Sequence, residues 1–355
     1  MNGPEGVAMT ARTDGPGRGL PRTGGAGVDV GGTKAHMRYP DPRTGEVRSV
    51  ETRCEEYDSL DDLLRGCFRL AGCVPRALVA GVAGRVLPDG DVHLTNRPAW
   101  PVFRRAEFGA AHGVDVAVVN DLVATAIGAG ELGGDGYRAL LPDVPRLGGA
   151  ARAVVAIGTG VGAAVVDADG GVRSSEAGHV SWQPVTDDEA ALLRFVRAAS
   201  GGPVVTVEQV LGGLAGFRHL YDFLSGRRDP GPGLRERVAA RAAGGGELGP
   251  VLTAAAAAGD GFARELLALY GGILGQFLRD LLLVSHPEGA EVWLGGSVLQ
   301  APGIGELLVS ETPFRERMVC RGAQHADMLG RIPVLLITDR HVAAKGAYAR
   351  SRSGM

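Results

Sequence analysis

The sequence predicts an α/β protein made of two similar halves. Each half opens with a glycine-rich hairpin between β-branched runs, within "GVDVGGTKAHMRY" and "AVVAIGTGVGAAVV". Strand-like and helix-like segments alternate after each hairpin, the pattern of layered α/β folds. A chain of 355 residues, 45% apolar and 22% charged, has the size for two domains and the composition of a globular protein.

The elements follow in order. Residues 1–26 are rich in Gly, Pro, Arg and Thr, lack the apolar core of a signal peptide, and read as a disordered leader. From Gly27 to Arg53, short runs broken by Gly-Gly and Pro-Asp-Pro predict a meander of about three strands. A helix is expected at Ser59–Ala71, with Leu60, Leu63, Leu64, Phe68 and Leu70 apolar and Asp61 and Asp62 in its first turn. "RALVAGVAGRVL" and "VDVAVVND" read as two buried strands, so a small α/β domain closes near Asp121.

The second half places helices at Asp187–Ala199, Val207–Leu211, Leu214–Leu224 and Gly261–Ser285. "GRRDPGPGLRERVAARAAGGGELGP" reads as a loop interrupted by a short helix. "AEVWLGGSVLQ" is a strand entering a Gly-Gly turn, "IPVLLIT" a last strand, and Val342–Arg350 a closing helix.

Charge and cysteine usage exclude several classes. The net charge is -3 and no long basic run occurs, so nucleic acid is not an expected partner. Cys54, Cys67, Cys73 and Cys320 form neither CxxC pairs nor a dense framework, which fits reduced thiols in the cytoplasm. The apolar stretch Phe262–Val284 carries Arg264, Glu265, Gln276, Arg279 and Asp280, marking a buried amphipathic helix and no membrane span.

Two turns have the composition to hold phosphate: Gly31-Gly32-Thr33-Lys34, and Gly158-Thr159-Gly160-Val161-Gly162. Neither leads into a helix, and the GxxxxGK[ST] spacing is absent, so neither a Walker loop nor a dinucleotide fingerprint is present. Each is a plain tight hairpin or a cradle of close backbone N–H groups. Asp29, at the strand end before the first turn, suits a Mg²⁺ held mostly through water.

These segments resemble, in order, the bacterial glucokinase family of the hexokinase, actin and Hsp70 ATPase superfamily. "DVGGTK" (Asp29–Lys34) is similar to the first phosphate motif and "LTNRPAW" (Leu94–Trp100) to the sugar-contacting loop. "VVNDLVATA" is similar to the Asn-Asp catalytic segment, and "IGTGVG" (Ile157–Gly162) to the second phosphate motif. "EAGHVSW" (Glu176–Trp182) is similar to a sugar site, "VTVEQVLGG" (Val205–Gly213) to a further sugar-binding helix, and "LGGSV" (Leu294–Val298) to the adenosine motif.

The resemblance implies two ribonuclease-H-like domains flanking a cleft, the small one 27–121 plus 340–355 and the large one 122–339. It implies ATP-dependent phosphorylation of a hexose hydroxymethyl group, with Mg²⁺, and a homodimer is one assembly it allows. Asp121 would be the general base. Asn120, Asn96, Glu176, His179 and Glu208 would bind the sugar hydroxyls. Asp29, Gly31, Gly32, Thr33, Lys34, Gly158, Thr159, Gly160, Gly162, Gly295, Gly296 and Ser297 would bind ATP.

Structural alternatives stand beside several of these roles. Asp121 is well placed to cap the helix Leu122–Ala129. Asn120 is then the more diagnostic residue, because capping does not require it and a sugar hydroxyl does. Glu208 lies inside a Thr206–Gln209 capping box and favours the helix dipole there. His179 reads as a structural histidine or a ligand, and Lys34 as a solvated hairpin charge or a phosphate contact. No cysteine lies between Cys73 and Cys320, which excludes the zinc motif of the related ROK sugar kinases.

Departures from the family pattern fall at Ser175-Glu176-Ala177-Gly178, at His286-Pro287 and in "TDRHVAAKGAYAR". They bear on which sugar is accepted. Three functions follow in order of preference: a glucose kinase, a kinase of another hexose or of a cyclitol with the same hydroxymethyl arm, and a non-catalytic sugar sensor.

Overall fold

The computed structural model describes residues 20–149, 151–310 and 312–353. Its first sheet begins with an antiparallel meander of β1 (Arg22–Val30), β2 (Lys34–Pro40) and β3 (Val47–Arg53). Helix α1 (Leu60–Ala71) leads to β4 (Val74–Val82), which lies parallel to β1. A small hairpin of β5 (Gly84–Val86) and β6 (Val92–Leu94) follows, then α2 (Arg105–His112). β7 (Asp115–Asn120) runs parallel to β4, and α3 (Asp121–Gly130) continues directly from it.

The second half repeats the plan. After β8 (Tyr137–Ala139) comes the meander β9 (Arg152–Ile157), β10 (Val161–Val166) and β11 (Val172–Ser175). Six helices intervene: α4 (Asp187–Ser200), α5 (Val207–Leu211), α6 (Gly216–Ser225), α7 (Pro232–Ala243), α8 (Gly249–Ala257) and α9 (Gly261–Ser285). β12 (Glu291–Gly295) then pairs parallel with β9. α10 (Ile304–Ser310), α11 (Phe314–Val319) and α12 (Ala326–Leu329) precede β13 (Val334–Ile337), parallel to β12, and α13 (Val342–Arg352).

The sheet orders are β3-β2-β1-β4-β7 and β11-β10-β9-β12-β13-β8. The first five strands of each match in order and direction, so the duplication expected from the two hairpins is a duplicated ribonuclease-H-like sheet. β8 is an extra antiparallel edge.

Each sheet's last parallel strand leads into a helix, and the two helices cross to the opposite sheet. α3 leaves the first sheet and packs on β9, β10 and β11, while α13 leaves the second and packs on β1, β4 and β2. Val79, Ala124, Ala343 and Ala347 form the small cluster where they meet. The larger cores lie outside this seam, one under β1, β4 and α1, the other around α9.

Several expectations need correction. The expected leader overran its end: residues up to 19 lie outside the described residues, but Arg22–Ala26 belong to β1. Gly25 and Gly27 weaken the strand signal because α13 lies on them. A Cβ on Gly27 would fall 2.5 Å from Tyr348 Cα, and one on Gly25 2.7 Å from Ser351 O. "RALVAGVAGRVL" is two strands, broken where β5 turns away to pair with β6. The segment read as a loop interrupted by a short helix does hold one, the twelve-residue α7, and only its last two residues, Gly249 and Pro250, enter α8. α2 and the three-residue edge strand β8 gave no periodic signal long enough to read.

α9 is long and apolar enough to span a bilayer. It is instead the core helix of the second half, with Phe262, Leu266, Tyr270, Ile273, Leu274 and Leu278 buried.

Candidate active site

Strand ends bring the acidic pair to one edge of the first sheet. Asp29 on β1 lies opposite Gly81 on β4, and Gly81 lies opposite Val119 on β7. Residues in register point to the same face, so bare Gly81 lets the start of α3 pack close against the strand next to Asp29. A Cβ there would meet Ala124 Cβ at 2.9 Å.

Burial, and then the charge of Asp121, push the Asp29 carboxyl up to about 7. Burial also raises Asp121, opposed by its backbone hydrogen bonds. The low-dielectric end of this sheet therefore resists ionising both groups together.

The cap of α3 is Asn120 and not Asp121. Asn120 continues the extended backbone of β7 (φ −63, ψ 146), and its Oδ1 accepts the Leu122 N–H at 2.9 Å. Asp121 is the first helical residue, and its Oδ1 accepts the same N–H at 2.9 Å. The capping argument therefore belongs to Asn120, whose side-chain NH₂ is left for another acceptor. One carboxylate oxygen of Asp121 is likewise left for a partner.

The first turn is strand–turn–strand, as expected. Lys34 Nζ is held by Glu51 at 2.6 Å on the exposed edge. Asn96 stands beside the turn, its Nδ2 3.9 Å from where a Cβ on Gly32 would lie, and its Oδ1 is buried without a partner.

The second turn is the centre of a denser cluster. Glu208 Oε2 accepts the Val161 N–H at 3.1 Å, and a Cβ on Gly160 would meet Glu208 Cδ at 3.0 Å. Gly213 and Leu214 donate to the Gly158 and Thr159 carbonyls at 2.7 and 3.2 Å. Thr159 Oγ1 donates to Glu247 Oε1 at 3.0 Å. Gly296 has a positive φ of 90° and a Cβ on it would overlap the Ile157 backbone, while Ser297 Oγ lies 3.7 Å from the Cβ position of Gly158. Gly295–Ser297 thus abuts the same turn.

The two turns connect through α3. Leu122, beside Asp121, approaches the Cβ position of Gly162 to 3.0 Å. Gly178 packs on Val161, and Val207 N–H donates to Val180 O at 3.1 Å, which joins the Glu176–His179 turn to α5. Glu176 and His179 are exposed and 3.7 Å apart. Among the described residues, no hydrogen bond joins them to Asn96, Asn120 or Asp121. Gly81, Arg97, Cys54 and Glu247 border the site without having been read as part of it. Arg97 lay within the sugar-loop motif, whereas Glu247 lay in a glycine-rich loop with no signal.

A separate cavity of about 930 Å³, lined by Arg279, Arg315, Arg317 and Cys320, lies elsewhere. Arg279, Arg315 and Arg317 there are paired with Asp280, Asp143 and Glu189, and Arg321 also lines it.

The sequence pattern of the glucokinase family matches residues 27–353. The chain belongs to the glucokinase family. A glucokinase of Cupriavidus metallidurans is 30% identical over 326 residues, covering 90% of each chain. A crystal structure of a glucokinase from an Antarctic psychrotroph has a TM-score of 0.72 at 26% identity, over 93% of this chain and 99% of that one. A ROK family glucokinase from Streptomyces griseus, solved in complex with glucose and AMPPNP, shares the fold, with TM-score 0.60, 19% identity and coverage of 93% and 99%. As a member of the glucokinase family, the protein is a sugar kinase that uses ATP to phosphorylate glucose.

Proposed function

We propose that the transfer to the glucose 6-hydroxyl takes place between the two glycine turns, with Asp121 as the general base. The observation that carries this reading is the placement of Asp121. It starts α3 at the strand ends beside Asp29, half-buried, with one oxygen held by the Leu122 N–H and the other without a hydrogen bond to another residue among the described residues. That second oxygen receives the proton of the attacking hydroxyl, while Asn120 and Asn96 hold neighbouring ring hydroxyls. Glu176, His179 and Glu208 complete the sugar set from the opposite half.

The Gly31–Lys34 and Gly158–Gly162 turns offer close backbone N–H groups to the ATP phosphates, and Gly295–Ser297 borders the nucleoside. Among the described residues no cluster of three His, Cys, Asp or Glu side chains is present. A lone Asp29 fits Mg²⁺ held mainly by water and phosphate oxygens. Bound there, the ion neutralises phosphate charge and keeps a buried carboxylate ionised. Closure of residues 27–121 plus 340–355 on 122–339 excludes water from the transfer. Four free cysteines support a reducing, cytoplasmic setting.

A coupled ADP-release assay over a panel of hexoses and cyclitols tests the acceptor. Glucose is expected to give the highest kcat/KM. A preferred cyclitol or another hexose would keep the mechanism and replace the acceptor, and no ADP release with any of them would sink the kinase reading.

A further inference from the structure

The first glycine turn is read above as a phosphate cradle, and this inference rests on that reading. All four carbonyl oxygens of the turn have a donor. Gly31 O receives the Cys54 thiol at 3.4 Å, and Gly32 O receives the Arg97 guanidinium at 2.5 Å. Thr33 O receives the Cys54 N–H at 2.8 Å, and Lys34 O receives the Gly31 N–H at 3.0 Å. The N–H groups of Gly32 and Thr33, by contrast, have no acceptor among the described residues.

These two facts are one. A trans peptide is planar, so its C=O and the next N–H point to opposite edges. Holding Gly31 O on Cys54 and Gly32 O on Arg97 therefore fixes where the Gly32 and Thr33 N–H groups point. Glycine gives the backbone freedom to rotate these peptides. An unpinned peptide turns a carbonyl dipole toward a phosphate in place of an N–H, which reverses the interaction.

Arg97 does not belong to the turn. It comes from the loop that presents Asn96, with its guanidinium 5.5 Å from the centre of the Trp100 ring. Lys34, the cation within the turn, is committed to Glu51. Among the described residues, the cation that anchors the turn thus arrives on the sugar loop.

We propose that Arg97 is a positioning residue that couples the sugar loop to the first phosphate turn. It orients the Gly32–Thr33 peptide so that its N–H meets the nucleotide, and a sugar held at Asn96 steadies Arg97. Sugar and nucleotide then tighten each other's binding by the same factor, as linkage requires.

The test uses the full chain, with glucose and a non-hydrolysable ATP analogue plus Mg²⁺, titrated singly and together by calorimetry. In the unaltered protein each ligand should tighten the other by about fivefold or more, the lower end of ordinary site–site coupling. Arg97→Ala should bring that factor close to one and raise KM for ATP, with the affinity for glucose alone within about twofold, and Arg97→Lys should recover part of the coupling. Unchanged coupling in Arg97→Ala would overturn the proposal, as would an equal loss of glucose affinity and melting temperature that Lys does not relieve. The ¹⁵N amide signals of Gly32 and Thr33 separate the two layers of the argument. No response to the analogue in the unaltered protein removes the phosphate reading of the turn. A response equally strong in Arg97→Ala removes only the role of Arg97.

Discussion

Gly128 of α3 and Gly346 of α13 press backbone against backbone. A Cβ on Gly128 would fall 3.0 Å from Gly346 N and overlap the Val342 carbonyl oxygen. One on Gly346 would fall 2.5 Å from Gly128 N and overlap the Ala124 carbonyl oxygen. These are the two helices that exchange sheets, so the tightest contact in the seam lies between corresponding elements of the two halves.

Gly128→Ala and Gly346→Ala should each destabilise the protein by about 3 kcal/mol or more, the upper end of overpacking costs, because the atoms met are backbone and have nowhere to go. Urea unfolding measures this. A loss below about 1 kcal/mol in both would mean that the helices part easily.

Asp121→Asn keeps the shape of the side chain and its acceptor for the Leu122 N–H. It should lower kcat by roughly 10²- to 10⁴-fold, the usual contribution of a general base, with glucose affinity within about threefold. A kcat within tenfold of the unaltered enzyme would reassign the base.

Glu208 faces the second turn as well as the proposed sugar site. Glu208→Gln retains an oxygen for the Val161 N–H and loses only the charge, so KM for glucose should rise while KM for ATP holds. Glu208→Ala removes both and should raise both constants. If the Gln variant raises only the ATP constant, the residue serves the phosphate turn alone.

Asp29 links function to stability in a measurable direction. Its carboxyl is raised to about 7 from an ordinary value of 3.8, by burial and by Asp121. The folded state therefore holds a proton that the unfolded chain has released, and stability falls as pH rises across that window. Asp29→Asn should flatten this loss and make the ligand-free protein more stable at pH 8, while weakening use of MgATP. Parallel urea curves at pH 5 and pH 8 decide it. An Asn variant less stable than the parent at pH 8 would refute the assignment.

His36 acts in the opposite sense. It stacks on His341, ring centres 3.9 Å apart, with Arg38, Glu51 and Asp339 also facing it. Burial first, then His341 and Arg38, lower it to about 4, against opposing pulls from Glu51 and Asp339. The unfolded chain binds the extra proton first, so this contribution to stability is present above about 6.5 and is lost as pH falls toward 4. His36→Phe should keep the stack and remove that acid sensitivity, read as a smaller drop in melting temperature between pH 7 and pH 4.5.

The parts of the fold legible in the sequence were those whose periodicity ran far enough to be read. α9 and α5 matched residue for residue, and α1 was found from its apolar spacing and first-turn aspartates, with Ser59 proving to be its cap and not its first residue. β1 began earlier than expected because its glycines answer to α13, more than three hundred residues away, and not to the strand itself. The site was legible as motifs and not as geometry. That Asn120 rather than Asp121 caps α3 depends on which residue first takes helical torsions. That Glu208 reaches the Val161 N–H depends on how α5 docks against β10, and neither is written in local spacing.

The exchange of helices also shapes how the chain comes into being. The surface of β1 and β4 that α13 covers is translated before α13, with the strands and helices of the second half in between. Residues 121 to 341 are translated in between, on the order of 10 to 40 s at ordinary elongation rates. Throughout that interval the helix that covers Gly25, Gly27 and Val79 on the first sheet is not yet made. A chain cut before Val342 lacks that cover, and its first sheet then presents a bare face to other chains.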